Sequence, residues 1–237
     1  MIIIVNKRKL LLLTAICILT VGIYITTSLS VFTFKTLSEP YYKGNKEKSN
    51  YVAITCNVDW GNEYIEDILK ILESKDVKIT FMVTGRWAKK YPDILLKIKE
   101  NGHEIGNHGF RHIDYSKLDY KTNYEEIKEA KDIIEGIIDD KTRFFSPPSG
   151  SFNKNTIKAA LDLKYIPVQW TIDTADWLYK DNPQKIIQRV QNKTIDSESI
   201  ILLHPTEATV KTLGSIIEIV TGEGYKVGRL MDIFEVD

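Results

Sequence analysis

The chain has 237 residues, with 32 Lys+Arg against 32 Asp+Glu, 43% hydrophobic and 27% charged residues. A net charge of zero gives no field for gripping nucleic-acid phosphates, and this composition is that of a folded chain rather than a disordered tail. Two Cys and 13 Gly exclude a disulfide scaffold, a zinc ribbon and a collagen-like repeat.

Lys7, Arg8 and Lys9 form a basic cluster, and no charged residue follows until Lys35. The Leu/Ile-rich run over 10–34 exceeds the roughly 20 apolar residues that a helix needs to cross a bilayer. Its basic flank, 1–9, assigns that end to the cytoplasmic side. No Ala-type cleavage pattern follows, so the run reads as an uncleaved signal-anchor. The expectation is a single-pass protein of the cell membrane, with the membrane as partner and the remaining chain extracytoplasmic. Residues 35–50 are polar, carry Pro40 and Gly44, and read as a tether. The globular part is then 51–237. Cys56 falls in a predicted strand and reads as a small buried hydrophobe.

In the globular part, strands and helices alternate. Strands are predicted at 52–57, 77–83, 104–107, 144–146, 165–170, 200–203 and 226–229. Helices are predicted at 63–74, 87–101, 120–138, 153–163, from Pro183 onward, and at 210–221. Ile65, Ile68, Leu69 and Leu72 show the helical spacing plainly, and Gly102 and Gly222 close two of the helices. Alternation throughout predicts α/β architecture, a parallel sheet or a (β/α) barrel. In such barrels the chemistry sits where strands end.

The strand ends carry the informative residues: Asn57-Val58-Asp59-Trp60-Gly61, Asn107-His108 through His112, Ser146-Pro147-Pro148-Ser149-Gly150, Asp173 through Trp177, and Leu203-His204-Pro205. Three of the four His lie there. His108 and His112 are four apart, a spacing that puts two imidazoles on one helical face. Asp59 would add a carboxylate from a neighbouring strand. Two His and one carboxylate leave open positions, the layout of a catalytic rather than a structural divalent-metal site. Zinc, cobalt, nickel and manganese all suit it. His103 reads as a partly buried turn residue. Trp60 and Trp177 fit either stacking on sugar rings or packing at a barrel mouth. Asp173 and Asp176 read as a cap and a solvated acid or as site residues.

In this order the five segments resemble the NodB-homology polysaccharide deacetylases, carbohydrate esterase family 4, over nearly all of 51–237. Gly102-His103-Glu104-Ile105-Gly106-Asn107-His108 is especially close, and Asp59-Trp60-Gly61 with the Pro-Pro-Ser-Gly loop is similar to the sporulation and peptidoglycan deacetylase subgroup. The resemblance implies a distorted (β/α) barrel of fewer than eight full repeats. It implies metal-dependent removal of N-acetyl groups from a cell-surface glycan, with peptidoglycan favoured because an anchored domain faces the wall. It also implies that Asp59, His108 and His112 bind the metal, that His204 is the catalytic acid oriented by Asp176, and that Leu202, Trp177, Pro147 and Pro148 wall the acetyl groove. No nucleic-acid or protein partner is indicated.

Two departures stand out. Asn57 replaces the Asp that serves this family as general base, and Ser146 replaces the Arg that pairs with that base. Losing both is coherent, since either charge alone would be buried and unpaired. Asn cannot take up a proton at neutral pH. Two readings follow: a slow metal-dependent N-deacetylase in which Asn57 orients the attacking metal-bound water and His204 protonates the leaving amine, or a pseudo-deacetylase that binds glycan without cleaving it. A metal-free structural scaffold is a third reading.

Overall fold

The computed structural model describes residues 38–47 and 49–235. The chain divides into two units, Met1–Leu37 and Ser38–Asp237, and the description concerns the second. Its elements are β1 (Tyr51–Val58), α1 (Asn62–Ser74), β2 (Thr80–Val83), α2 (Gly85–Lys90), α3 (Pro92–Glu100), β3 (Glu104–Asn107), α4 (Tyr120–Ile138), β4 (Phe144–Phe145), α5 (Lys154–Asp162), β5 (Ile166–Pro167), β6 (Ile172–Asp173), α6 (Pro183–Gln191), β7 (Ile200–Leu203), α7 (Glu207–Gly222), β8 (Lys226–Gly228) and α8 (Leu230–Ile233).

The strands form one parallel sheet in the order β5-β4-β3-β2-β1-β7-β6, and β8 pairs with the start of β1. The sheet curls into a half-barrel. Its strands read as continuous apolar runs because both faces are covered. Period-2 geometry sorts them. Val52, Ile54 and Cys56 of β1, with Phe81, Val83, Ile201 and Leu203, join the core beneath the helices. Ala53, Met82 and Ile200 point into the curl, where Phe144, Val168, Leu230 and Phe234 close the lower end. Asn57 and Leu202 have the same parity as Ala53 and Ile200, so they face the inside of the curl one step nearer its upper mouth.

Helix starts follow side-chain capping. Thr84, Asp119, Asn182 and Thr206 each accept a backbone N–H of the first turn of α2, α4, α6 and α7, and Asn153 with Thr156 forms a capping box on α5. The single helix expected over 87–101 is two. Pro92 forces the residue before it out of the helical region, and Tyr91 sits at φ −129°, ψ 56° between α2 and α3. Tyr41 pairs with Val168, and the Asn45 and Lys46 amides donate to the Ile233 carbonyl, so residues 41–46 lie along the sheet edge and α8.

The barrel part of the expected fold is present, but the membrane part is corrected. Among the described residues no helix is long and apolar enough to cross a membrane. The longest, α4, has 19 residues with charged side chains in nearly every turn. The run 10–34 lies outside the described residues. Among the described residues the fold is a curled α/β half-barrel without a membrane-spanning helix, and the single-pass placement, the membrane partner and the extracytoplasmic location are not carried further.

Candidate functional site

The C-terminal strand ends converge on a cavity of about 410 Å³. Asn57, Trp60, His108, His112, Trp177, Leu202 and His204 line it, together with Ser149, Trp170 and Asp173. Three of the chain's four Trp thus surround one opening. Two glycines shape its rim. Gly61 has φ +76°, and a Cβ there would meet the Pro205 carbonyl oxygen at 2.0 Å. The loop after β1 therefore lies directly on the loop after β7, and Trp60 stacks parallel to the His204 ring, 6.2 Å between centroids. Gly109 has φ +75°, and a Cβ there would meet Tyr115 Oη at 2.0 Å, so the turn carrying His108 and His112 closes tightly over Tyr115.

His204 is held to Asp176 by both its ring and its backbone. Its Nδ1 lies 2.8 Å from Asp176 Oδ1, and its backbone N–H donates to Asp176 Oδ2 at 2.6 Å. Thr209 Oγ1 donates to the same Oδ2 at 2.5 Å, and the Trp177 N–H donates to Oδ1 at 2.9 Å. Asp176 is wholly buried; four donors satisfy it in place of water. It lies behind His204 rather than in the cavity. Asp173 lines the cavity, and its Oδ1 accepts the Ala175 N–H at 2.8 Å.

His108 is buried, with Nδ1 2.7 Å from the Ser146 carbonyl. That oxygen only accepts, so Nδ1 carries the proton and Nε2 the lone pair. Burial, then the neighbouring His112, depresses the His108 pKa to about 3. Burial also lowers that of His112, against the opposing pull of Asp59. The two rings are 5.4 Å apart between centroids.

Asp59 does not join them. Its Oδ1 accepts from Thr84 Oγ1 at 2.8 Å and from Arg86 Nε at 2.6 Å, and Oδ2 accepts from the Arg86 terminal nitrogen. Burial pushes the Asp59 pKa up, but these bonds and the Arg86 charge outweigh it, and the carboxyl stays below its usual range. Asp59 lines a separate cleft with Arg86, not the central cavity.

These residues do not fit a divalent cation. A guanidinium fork takes both carboxylate oxygens and places a fixed positive charge where a divalent cation would need its anionic ligand. Among the described residues no group of three His, Cys, Asp or Glu side chains is arranged to hold a metal ion. The expected divalent cofactor on Asp59, His108 and His112 is thereby corrected.

The other expected residues separate cleanly. Asn57 lies at the inner mouth of β1, nearly fully buried, and its Oδ1 has no hydrogen-bond partner. Ser146 is buried at the end of β4. Pro147 and Pro148 are buried in their loop, and Ser149, held at φ +55°, reaches the cavity instead. The strand-end pattern includes Ser149 and Trp170 but assigns them no role, and it leaves out Arg86. The signal for Arg86 was available, since Thr84-Gly85-Arg86 follows the second strand.

This curled parallel sheet, with a His–Asp pair and a histidine turn at its strand ends, defines the chain as a (β/α) half-barrel domain with its site at the C-terminal strand ends. The chain belongs to the polysaccharide deacetylase family, whose model matches residues 44–168. It is 40% identical over 197 residues to YlxY of Bacillus subtilis, an uncharacterized protein, covering 83% of this chain and 61% of that one. The chain thus spans less than two thirds of that relative. It is 29% identical to a peptidoglycan-N-acetylglucosamine deacetylase of Bacillus cereus, covering 84% of this chain and 71% of the relative. Among solved structures it is similar to BA3943 of Bacillus anthracis, described as a carbohydrate esterase family 4 pseudoenzyme: TM-score 0.78, 36% identity, 84% of this chain and 71% of that one. A BA3943 mutant with restored enzymatic activity matches equally well, at TM-score 0.78. The expectation of a working N-deacetylase is corrected with that of its metal: the ligand set is not assembled, and a pseudoenzyme stands among the most similar structures.

Proposed function

We propose that this protein is a glycan-binding pseudo-deacetylase, which holds an N-acetylated sugar in the central cavity without hydrolysing it. The observation that carries this reading is Asn57. At the position where the family places its base stands a neutral amide, buried, with its oxygen unpartnered. Hydrolysis of an acetamide needs a water stripped of its proton. An amide cannot accept that proton, and losing general-base help alone costs about 10²–10⁴-fold.

Binding needs none of this. Trp60, Trp170 and Trp177 offer apolar faces for pyranose rings. Nε2 of His108, free of the proton held on Nδ1, accepts a sugar hydroxyl or amide N–H, and Asp173 accepts hydroxyls at the rim. Asp176 fixes the ring orientation of His204. Leu202 gives the acetyl methyl an apolar wall. Peptidoglycan is the glycan this reading favours, because the B. cereus relative is named for it.

The test pairs two measurements on one preparation: calorimetric binding of N-acetylated glycan oligomers, and acetate release from the same oligomers. Binding that weakens in Trp177→Ala, with no acetate released, supports the reading. Acetate release by the wild type, or absence of binding, sinks it.

A further inference from the structure

Beside the central cavity lies a second one, of about 360 Å³, between the loop after β1 and helix α2. Trp60 lines both and stands half-exposed between them. The floor of the second cleft is the Asp59–Arg86 pair; its wall is α2 and the residue that follows it, through Trp87, Lys90 and Tyr91. Apart from Trp60, none of these groups serves the glycan-binding reading of the central cavity.

Two independent features mark the cleft as a place for a ligand. Trp60, Trp87 and Tyr91 give it aromatic walls. Lys90 is exposed, rests over the Tyr91 ring with its Nζ 5.0 Å from the centroid, and makes no ion pair among the described residues. With Asp59 neutralising Arg86, the cleft keeps one uncompensated positive charge, surrounded by aromatic faces.

We infer that this cleft is a second glycan subsite, which receives the sugar adjoining the one in the central cavity and selects a sugar bearing a carboxylate. The inference rests on the glycan-binding reading above. A chain crossing Trp60 places consecutive rings on its two sides. Lys90 meets the carboxylate of the outer ring, and the remaining Arg86 N–H groups meet its oxygens. A neutral oligomer fills the same space but leaves the Lys90 charge unanswered.

The test compares two tetrasaccharides by calorimetry: one of N-acetylglucosamine alone, and one alternating N-acetylglucosamine with N-acetylmuramic acid. The wild type should bind the acidic oligomer about fivefold more tightly, the scale of one partly exposed ion pair. High salt should erase that ratio, and so should Lys90→Glu, with circular dichroism confirming that the variant is folded. Trp177→Ala should weaken both ligands and leave the ratio intact. Equal affinities in the wild type, or a ratio that survives Lys90→Glu, overturns the subsite while the central reading stands. Binding of neither oligomer overturns the glycan reading and the subsite with it.

Discussion

Arg86 grips both oxygens of Asp59, so a carboxylate that begins the first site loop is committed to a guanidinium on α2 rather than to the histidines beside it. The contact joins residues 27 apart, and the parallel register that sets Val58 against Val83 makes it possible. Asp59 is almost covered, whereas Arg86 is about half exposed. The lock is therefore open to solvent on one side.

Removing that lock is the first prediction. Wild-type protein dialysed against zinc should hold a substoichiometric amount of metal. Arg86→Gln frees Asp59 beside His108 and His112 and should raise zinc affinity by about tenfold or more, the scale on which groups around a metal ligand act. The check is metal content by mass spectrometry and titration. A wild type that retains one tightly held ion per chain, or a variant no different from it, contradicts the structural reading of this pair.

Asn57 and Ser146 supply a second prediction, about stability rather than activity. Both are buried. Asn57→Asp alone introduces a carboxylate without a partner, and an uncompensated buried charge costs about 3–5 kcal/mol. Burial raises the folded-state pKa of that new carboxyl above its unfolded value near 4, so the folded form holds the proton longer. The loss should therefore be small at pH 4 and grow as pH rises toward 7. Adding Ser146→Arg should restore most of it. Thermal unfolding of the single and double variants at both pH values decides. A single variant as stable as wild type at pH 7 would mean that the Asn57 environment is far wetter than its burial indicates.

Asp176 is satisfied by four donors, two of them from His204 itself. Asp176→Ala strips them all and should cost about 3 kcal/mol or more, given about 1–3 kcal/mol for each buried group left unpaired. His204→Ala removes one of the four and should cost less in stability while weakening glycan binding. Denaturant melts and binding titrations on both variants separate the roles. Equal stability losses would mean that His204 is a structural element rather than a ligand-facing one.

Much of this architecture is legible in the residues. Glu104–Asn107, Tyr120–Ile138 and Ile200–Leu203 occupy the ranges that periodicity and caps predict. The misses have physical causes. β6 (Ile172–Asp173) has two residues and α8 (Leu230–Ile233) four, too few to show any period. Their existence depends on tertiary pairing. At the site, the strand-end positions of Asn57, His108, His112 and His204 follow from alternation alone. Which partner Asp59 takes does not, because a carboxylate beside two histidines and a carboxylate beside an arginine look alike until the register is known. Arg86 and His112 are both within reach in sequence terms, and only the fold chooses between them.

His103 offers a pH test away from the cavity. Its Nδ1 accepts the Ile79 backbone N–H at 3.2 Å, which requires a neutral ring. Burial, then the charges of Lys78 and Arg229, lowers its pKa to about 4, whereas in the unfolded chain it returns to about 6.5. Between those values the unfolded chain binds a proton that the folded chain refuses. Stability should therefore fall as pH drops from about 6.5 toward 4, by at most about 3 kcal/mol from this residue. His108 and His112 act in the same direction, so the wild-type slope contains all three. His103→Asn keeps an acceptor for Ile79 but does not titrate, and the difference in slope between wild type and variant isolates the one residue. Urea unfolding at pH 7 and pH 5 measures it, and parallel slopes in the two proteins would show that the His103 ring is reached by water and protonates freely in the folded state.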